Sequence, residues 1–426
     1  MKIRTRALLL LALSALILFG CRSGSREGGT EKIEISFFTM QLRPVFDDYF
    51  NELFAEFEKL HPNVKIKWMD YPAEGYDTKL ITSFMGSDPP DVINLTPQML
   101  PTFVSRGVLQ SSQQAFPKEV VDKYFPNVIR DACQIKGKTY ALPWYLATGV
   151  TMCNMKIFQE AGLTQEDIPK TSQEMKGIAR IIREKTDKFP FFPIYTEAGA
   201  FRGFFISAGV PILDENETRA LFNTPKGLEV FKFWTDIYKE GLVPSEALTA
   251  MHRRPIELYK NGKLAVFNSG PQFLKHVKAD APDVYKNTVV RPGIQWKDQE
   301  IYTVDVHIIV LSKKSKHPEL AAKFAAFVTN ASNQLKFCKL TTIIPSVMEA
   351  AHDPYFTEVE DTPEGKARKI SAEAIQKAIV VRTPNKHPGK LFREMSKIVE
   401  SVCLEEMTAE EGLGILEERW NEILGE

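Results

Sequence analysis

The chain has 426 residues, with 54 acidic and 54 basic side chains that leave a formal charge of zero. That balance gives no electrostatic reason to expect nucleic acid or an anionic surface as a partner. The length exceeds what one hydrophobic core usually organises, so two or three units are expected.

The first element reads as an address. Lys2, Arg4 and Arg6 form a positive start, and Ala7 to Gly20 then run without a charge. About fourteen apolar positions suit a signal peptide over 1–20 and fall short of the roughly 20 needed to cross a bilayer. The run ends Leu18-Phe19-Gly20-Cys21, which resembles the bacterial lipobox, with Cys21 as the lipidated residue. The alternative is a secreted protein with a stray cysteine. Residues 22–30, RSGSREGGT, then read as part of a flexible tether over 21–32.

After the tether the pattern is α/β. Ile33, Ile35 and Phe37 alternate as a strand, and Phe46 to Leu60 repeat at helical spacing until His61-Pro62-Asn63 breaks the helix. Val64, Ile66 and Trp68 alternate with lysines as a second strand. Leu80, Ile81 and Phe84 mark a second helix that stops at Gly86, and Asp91 to Leu95 form a third strand. This order predicts a parallel sheet with right-handed crossovers, and ligands collect beyond the carboxyl ends of such strands. Here those ends are Thr39-Met40-Gln41 and Asn94 to Gln98.

Residues 137–154, GKTYALPWYLATGVTMCN, raise a specific problem. Successive strand side chains point to opposite faces, so Trp144 and Tyr145 cannot both enter one core. Further on, Phe201, Phe204 and Phe205 cluster beside Arg202; core packing is expected for two of these rings and the cleft for one. Thr224-Pro225 starts a helix, and Leu264 to Phe267 form a strand that ends in Asn268-Ser269-Gly270-Pro271. Thr303, Asp305, His307 and Ile309 share one face of another strand, with Val304, Val306, Ile308 and Val310 on the other. Pro318 opens a further helix, and the last forty residues are helical.

Motifs for covalent chemistry are absent. There is no GxxxxGK[ST], GxSxG or HExxH, and no GxGxxG follows a strand. Asp214, Asn216 and Thr218 imitate a calcium loop but lack its glycine and terminal glutamate, so no metal site and no cofactor are expected. The seven histidines do not cluster at ligand spacing. Cys133, Cys153, Cys338 and Cys403 form no CxxC pair. They read first as buried free thiols and second as containing one Cys133–Cys153 disulfide.

Several stretches, in this order, resemble the extracellular solute-binding proteins of ABC importers. The branch they resemble is the large carbohydrate-binding family that includes maltose-binding protein. They are FAEFEKLHPNVKI, GSDPPDVINL, GKTYALPW with Asn154, Phe158 and Gly162, FNTPKGLEVFKFWTDIYKEGLV, YKNGKLAVFNSGP, SKKSKHPELAAKFAAFVTN and TTIIPS. One departure is TVDVHIIVL, where many relatives carry glycines; Asp305 and His307 are expected to fill that space and narrow the site.

The resemblance implies a two-lobe periplasmic-binding-protein-like α/β fold. Each lobe would be a mostly parallel sheet flanked by helices, and a multi-segment hinge would join them. Lobe one would comprise 33–145 and 303–345, lobe two 146–302 and 346–426. It implies a monomeric binder rather than an enzyme. Ligand would close the lobes, and a membrane permease with a separate ATPase would receive it, with the lipid anchor as the only membrane contact. Trp144 leads the expected ligand contacts, with hinge or core packing as its alternative, followed by Tyr145. Gln41, Arg43, Thr96, Gln98, Phe204, Asn268, Ser269, Gly270, Asp305 and His307 complete the set, each weighed against ordinary loop polarity or packing. The ligand would be a sugar or oligosaccharide, or else a polyamine, metal-chelate or sugar phosphate. Arg43 and Arg202 favour an anionic sugar if both reach the cleft. A binding lipoprotein that feeds a sensor kinase is the alternative to a transport partner.

Overall fold

A computed structural model describes residues 32–426, apart from 87, 88, 252, 298 and 359. The signal peptide, Cys21 and the tether as far as residue 31 lie outside the described residues.

The first lobe grows from the alternating segments at its start. Strand β1 (Ile33–Met40) leads through helix α1 (Asp47–Leu60) to β2 (Val64–Tyr71), and α2 (Tyr76–Met85) leads to β3 (Val92–Leu95). β1 pairs in parallel with both β2 and β3, as the β-α-β-α-β order requires. Tyr49, Phe50, Leu53, Phe54 and Phe57 form the buried stripe of α1. At about 25 cal/mol per Å² of apolar surface, burying each of those side chains stabilises the lobe by roughly 2 kcal/mol.

Helix α3 (Pro126–Ala132) precedes β4 (Ala141–Thr148), which runs into the second lobe as β5 (Val150–Asn154). β6 (Val266–Ser269) and β7 (Thr288–Pro292) pair with β5, both antiparallel. The second lobe therefore holds a small antiparallel sheet, not the mostly parallel one expected. β5 lies in the middle of that sheet, and both of its neighbours run against it. The long strand β8 (Tyr302–Leu311) returns to lobe one and pairs antiparallel with β3 and β4. β9 (Ile344–Pro345) pairs with β4, and β10 (Ala378–Val380) pairs in parallel with β8.

The C-terminal part divides differently from expectation. Val347, Ala350, Phe356, Ile375, Ala378 and Val380 all lie in the first lobe's core. Chain assigned to lobe two from residue 346 thus stays with lobe one through β10. Helix α4 (Pro363–Ile375), which feeds that strand, puts Ala367 into the second lobe's packing and Ile375 into the first's. It braces the back of the hinge. Three segments cross between the lobes: Gly149, the chain from β7 to β8, and the chain after β10. Leu391, Val399, Leu413, Leu416 and Trp420 of the last two helices close the second lobe's core. All four described cysteines are free and buried, so Cys133 and Cys153 do not pair.

Candidate functional site: a cleft floored by the hinge strands

The hinge strands β4, β8 and β10 have a covered face and an open one. Leu146, Val304, Val306, Ala378 and Val380 are buried against the core to which α3 contributes Val128 and Ile129 and α4 contributes Ile375. Side chains alternate across a strand, so Thr303, Asp305, His307, Ala147 and Ile379 point the other way. On that side Asp305 and Ile379 are exposed and Thr303, His307, Tyr145 and Ala147 are half-buried. This open face, on the strands from which the chain enters and leaves the second lobe, is the candidate floor of a binding cleft.

Tyr145 and Trp144 resolve by a bulge. The register pairs His307 with Tyr145 but Ile308 with Pro143, which leaves Trp144 as an extra residue. A bulge opposes two residues to one and turns the strand locally. Both rings therefore meet the same partner, Phe337: Trp144 stacks on it at 5.3 Å and Tyr145 meets its edge at 5.6 Å. Trp144, the leading expected ligand contact, is instead a core residue. It is 0% exposed and also packs edge-on against Phe37 and Phe50. Tyr145 lies beside it at the cleft edge and stacks on His307, with ring centroids 4.5 Å apart and planes 14° from parallel.

Asn94 orients the histidine. Its Nδ2 lies 3.3 Å from both His307 Nδ1 and the Ile308 carbonyl. Its Oδ1 lies 3.4 Å from the same ring nitrogen, so the amide holds the Nδ1 edge of the ring. The Nε2 edge has no hydrogen-bond partner among the described residues. The protein around it makes charging costly, and desolvation pushes its pKa down to about 4. The Asp305 carboxylate stands one step along the strand, opposite Ala147, with no hydrogen bond or ion pair among the described residues. Protein crowds round it although water reaches it, and desolvation raises its pKa. Burial likewise pushes the Tyr145 phenol well above its ordinary range.

His307 carries a pH signature. Its folded pKa lies below the unfolded value of 6.5, so the unfolded chain binds more protons between those limits. The contribution is fully present above pH 6.5 and is lost as pH falls towards about 4. The ligand-free protein should lose stability on acidification through that window. His307→Gln should flatten the loss in urea midpoints measured from pH 7 to 4; an unchanged slope would locate the acid sensitivity elsewhere.

The loops beyond β1 and β3 form one wall. Gln41 is exposed and sits in the left-handed region, at φ 57°. The Asp70 carboxylate holds its loop by accepting from Thr39 Oγ1 at 2.7 Å, Leu42 N at 3.0 Å and Arg43 N at 3.1 Å. Thr96 is half-buried and Gln98 exposed, directly after β3. Arg43 is not brought to the site. Its guanidinium folds over Trp68, 4.2 Å from the ring centre, and pairs with Asp47 at 3.6 Å.

The second lobe supplies the opposite wall. Asn268 is exposed, and Ser269 and Gly270 are half-buried, at the hinge end of β6. Thr151 pairs across the sheet with Asn268 on one side and Arg291 on the other. Among the described residues its buried hydroxyl has no partner, and the half-buried Arg291 reaches only the Val290 carbonyl, at 3.1 Å. Phe201 and Phe205 are fully buried, whereas Phe204 is partly exposed and stacks on Trp234 at 4.0 Å. Arg202 is buried; it donates to the Gly199 and Arg382 carbonyls and lies over the Phe392 ring, so it packs lobe two and is not free for an anion.

Asp70, Thr151 and Arg291 are not singled out by the sequence. Asn94 is, at the carboxyl end of the third strand, but its pairing with His307 is not legible there. Asp214 caps its own loop by accepting from Thr218 and Arg219, which accounts for its motif without a metal. Among the described residues no group of histidine, cysteine or acidic side chains could hold a metal ion.

Residues 43–335 match the family model described as bacterial extracellular solute-binding protein. Among solved structures, one from Synechococcus sp. MITs9220, described by inference as an oligosaccharide periplasmic-binding protein, is 30% identical. It covers 92% of this chain and 99% of its own, with a TM-score of 0.82. The sugar-binding protein MalE from Xanthomonas citri is 21% identical, covers 92% and 97%, and superposes with a TM-score of 0.73. The melibiose/raffinose/stachyose-binding protein MelE of Bacillus subtilis is 22% identical over 364 residues, 82% of each chain.

Proposed function

Because the chain belongs to the bacterial extracellular solute-binding proteins, we propose that it captures a sugar or oligosaccharide between its lobes. The family binds solutes rather than transforming them. The observation that carries the proposal is the open strip Tyr145–His307–Asp305 on the hinge strands, with polar loops on both sides. It offers a phenol, the Nε2 edge of an imidazole and a carboxylate, none with a hydrogen-bond partner among the described residues. Sugar hydroxyls both donate and accept, so one ring can satisfy all three. The partly exposed Phe204 adds an aromatic surface for an apolar sugar face.

Ligand that touches both lobes binds the closed state better and shifts the population towards it. A membrane permease with a separate ATPase would receive the closed form. Lipid on Cys21 would hold the protein at a bacterial membrane, facing the periplasm or the cell surface. The oligosaccharide and sugar binders among the relatives support this reading. An anionic sugar is disfavoured, since Arg43 and Arg202 are engaged elsewhere. The unpaired Asp305 is the one feature that favours a cationic solute such as a polyamine.

Thermal-shift screening separates these readings, because a tight ligand raises stability by mass action. A neutral mono- or oligosaccharide should raise the melting temperature, by an amount that Tyr145→Phe reduces. A shift given only by polyamines would overturn the sugar assignment.

A further inference from the structure

We propose that the end of the first sheet farthest from the cleft binds the phosphate of an anionic lipid headgroup. A cavity of about 380 Å³ opens there, lined by Lys32, Ser36, Asp91, Lys314, Lys316 and His317, among others. Its position follows from the strand directions. The sheet starts at Ile33 and Val92, and antiparallel β8 ends there at Leu311. The cleft lies at the opposite ends of the same strands. Eight residues of β1 at about 3.3 Å each separate the two ends by roughly 26 Å.

The charges in this cavity do not cancel. Asp91 is turned inward and accepts from Ser36 N at 2.9 Å, Ser36 Oγ at 2.7 Å and Ser315 Oγ at 2.5 Å. Glu34, also at the rim, pairs with Lys67 at 2.8 Å. Among the described residues, Lys314 Nζ donates only to the Phe84 carbonyl, at 2.8 Å. Lys32 and Lys316 are exposed and have no ion pair among the described residues. Among the described residues, three ammonium groups line the cavity against the Asp91 carboxylate, with Glu34 held by Lys67, on a chain whose overall charge is zero. The imidazole of His317 adds a polar partner for a phosphate oxygen.

The chain itself points to the source of that phosphate. Lys32 lines the cavity, and only eleven chain steps lead back from it to Cys21. Fully extended, they reach at most about 40 Å. If Cys21 carries lipid, this end of lobe one is held within reach of the headgroups, where each lysine adds to attraction by an anionic surface. A protein resting on this end turns its cleft away from the membrane, towards incoming solute. Lysine–phosphate contacts are weak and screened by salt, so the protein can still lift off to deliver its cargo.

Residues 21–426 with Cys21→Ser contain every core residue and no lipid, and are the material for the test. Sedimentation with vesicles of phosphatidylglycerol in phosphatidylcholine should pull the protein down at low salt, whereas pure phosphatidylcholine should not. Lys314→Glu with Lys316→Glu should cut the association at least tenfold, while the melting temperature and the ligand-induced shift stay at parent values. Equal binding to both vesicle types, or full binding by the double variant, would overturn the proposal. So would saturable binding of inorganic phosphate, lost in the double variant, without vesicle association: the cavity would then serve a free anion. None of these outcomes depends on which solute the cleft takes.

Discussion

Asp305→Asn is expected to weaken ligand capture by roughly ten- to a hundredfold, the range for losing hydrogen bonds to a charged group. The same change should not lower the stability of the empty protein. The carboxylate faces Ala147 across the strand, has no partner among the described residues, and is held in a setting that resists its ionisation. Its folded pKa lies above the unfolded one, so the folded state binds more protons between the two. The stability it contributes is present below the unfolded pKa and is lost as pH rises through the folded one. Asparagine has no such penalty. The variant should therefore gain on the parent in melting temperature as pH rises through that window, and keep the gain at neutral pH. Parent affinity should rise with pH over the same window, while the variant's affinity stays flat. A variant that binds as tightly as the parent would remove Asp305 from the site, and one that melts much lower would give the carboxylate a structural role instead.

That pairing of lost affinity with retained stability is what an unpartnered polar group in a binding cleft should give. Stability is spent on holding Asp305 unpaired, and ligand recovers it on closure. Asp91 makes the contrast. It has the same charge, but three hydrogen bonds from Ser36 and Ser315 absorb it into the base of the sheet.

Much of this was legible in the alternation of Thr303 to Val310. It separates Asp305 and His307 from Val304 and Val306, and an apolar face predicts cover by other elements. Strand and helix order likewise led to the parallel pairing of β1 with β2 and β3. What failed needed a partner distant in sequence. Arg43 is removed from the cleft by Trp68, and nothing in the loop itself announces that ring. Residues 346–380 join lobe one against expectation because β10 has only three residues, too few for periodicity, and gains its place by pairing with β8. The antiparallel second sheet depends on strands over a hundred residues apart.

Trp144 is the sharpest case, since alternation itself misled there. An alternating strand sends Trp144 and Tyr145 to opposite sides, yet the bulge against His307 and Ile308 brings both rings onto Phe337. The expected consequence of truncation changes accordingly. Trp144→Ala should cost about 3–5 kcal/mol of lobe-one stability, the range for emptying a large aromatic site in a packed core. Phe37, Phe50 and Phe337 would lose a shared neighbour and could collapse only partly into the space. Trp144→Phe should be much milder. Its smaller ring keeps most of the packing, and the buried indole Nε1 has no hydrogen-bond partner to lose. Urea unfolding followed by circular dichroism measures both, and ligand titration of the Phe variant supplies the control. Near-parent affinity in Trp144→Phe, beside a large drop in midpoint for Trp144→Ala, is the core signature. An alanine variant with an unchanged midpoint and no ligand binding would return the ring to the cleft. Under the proposed function, the ligand role expected of Trp144 passes to Tyr145, which lies half-buried at the edge of that cluster and stacks on His307.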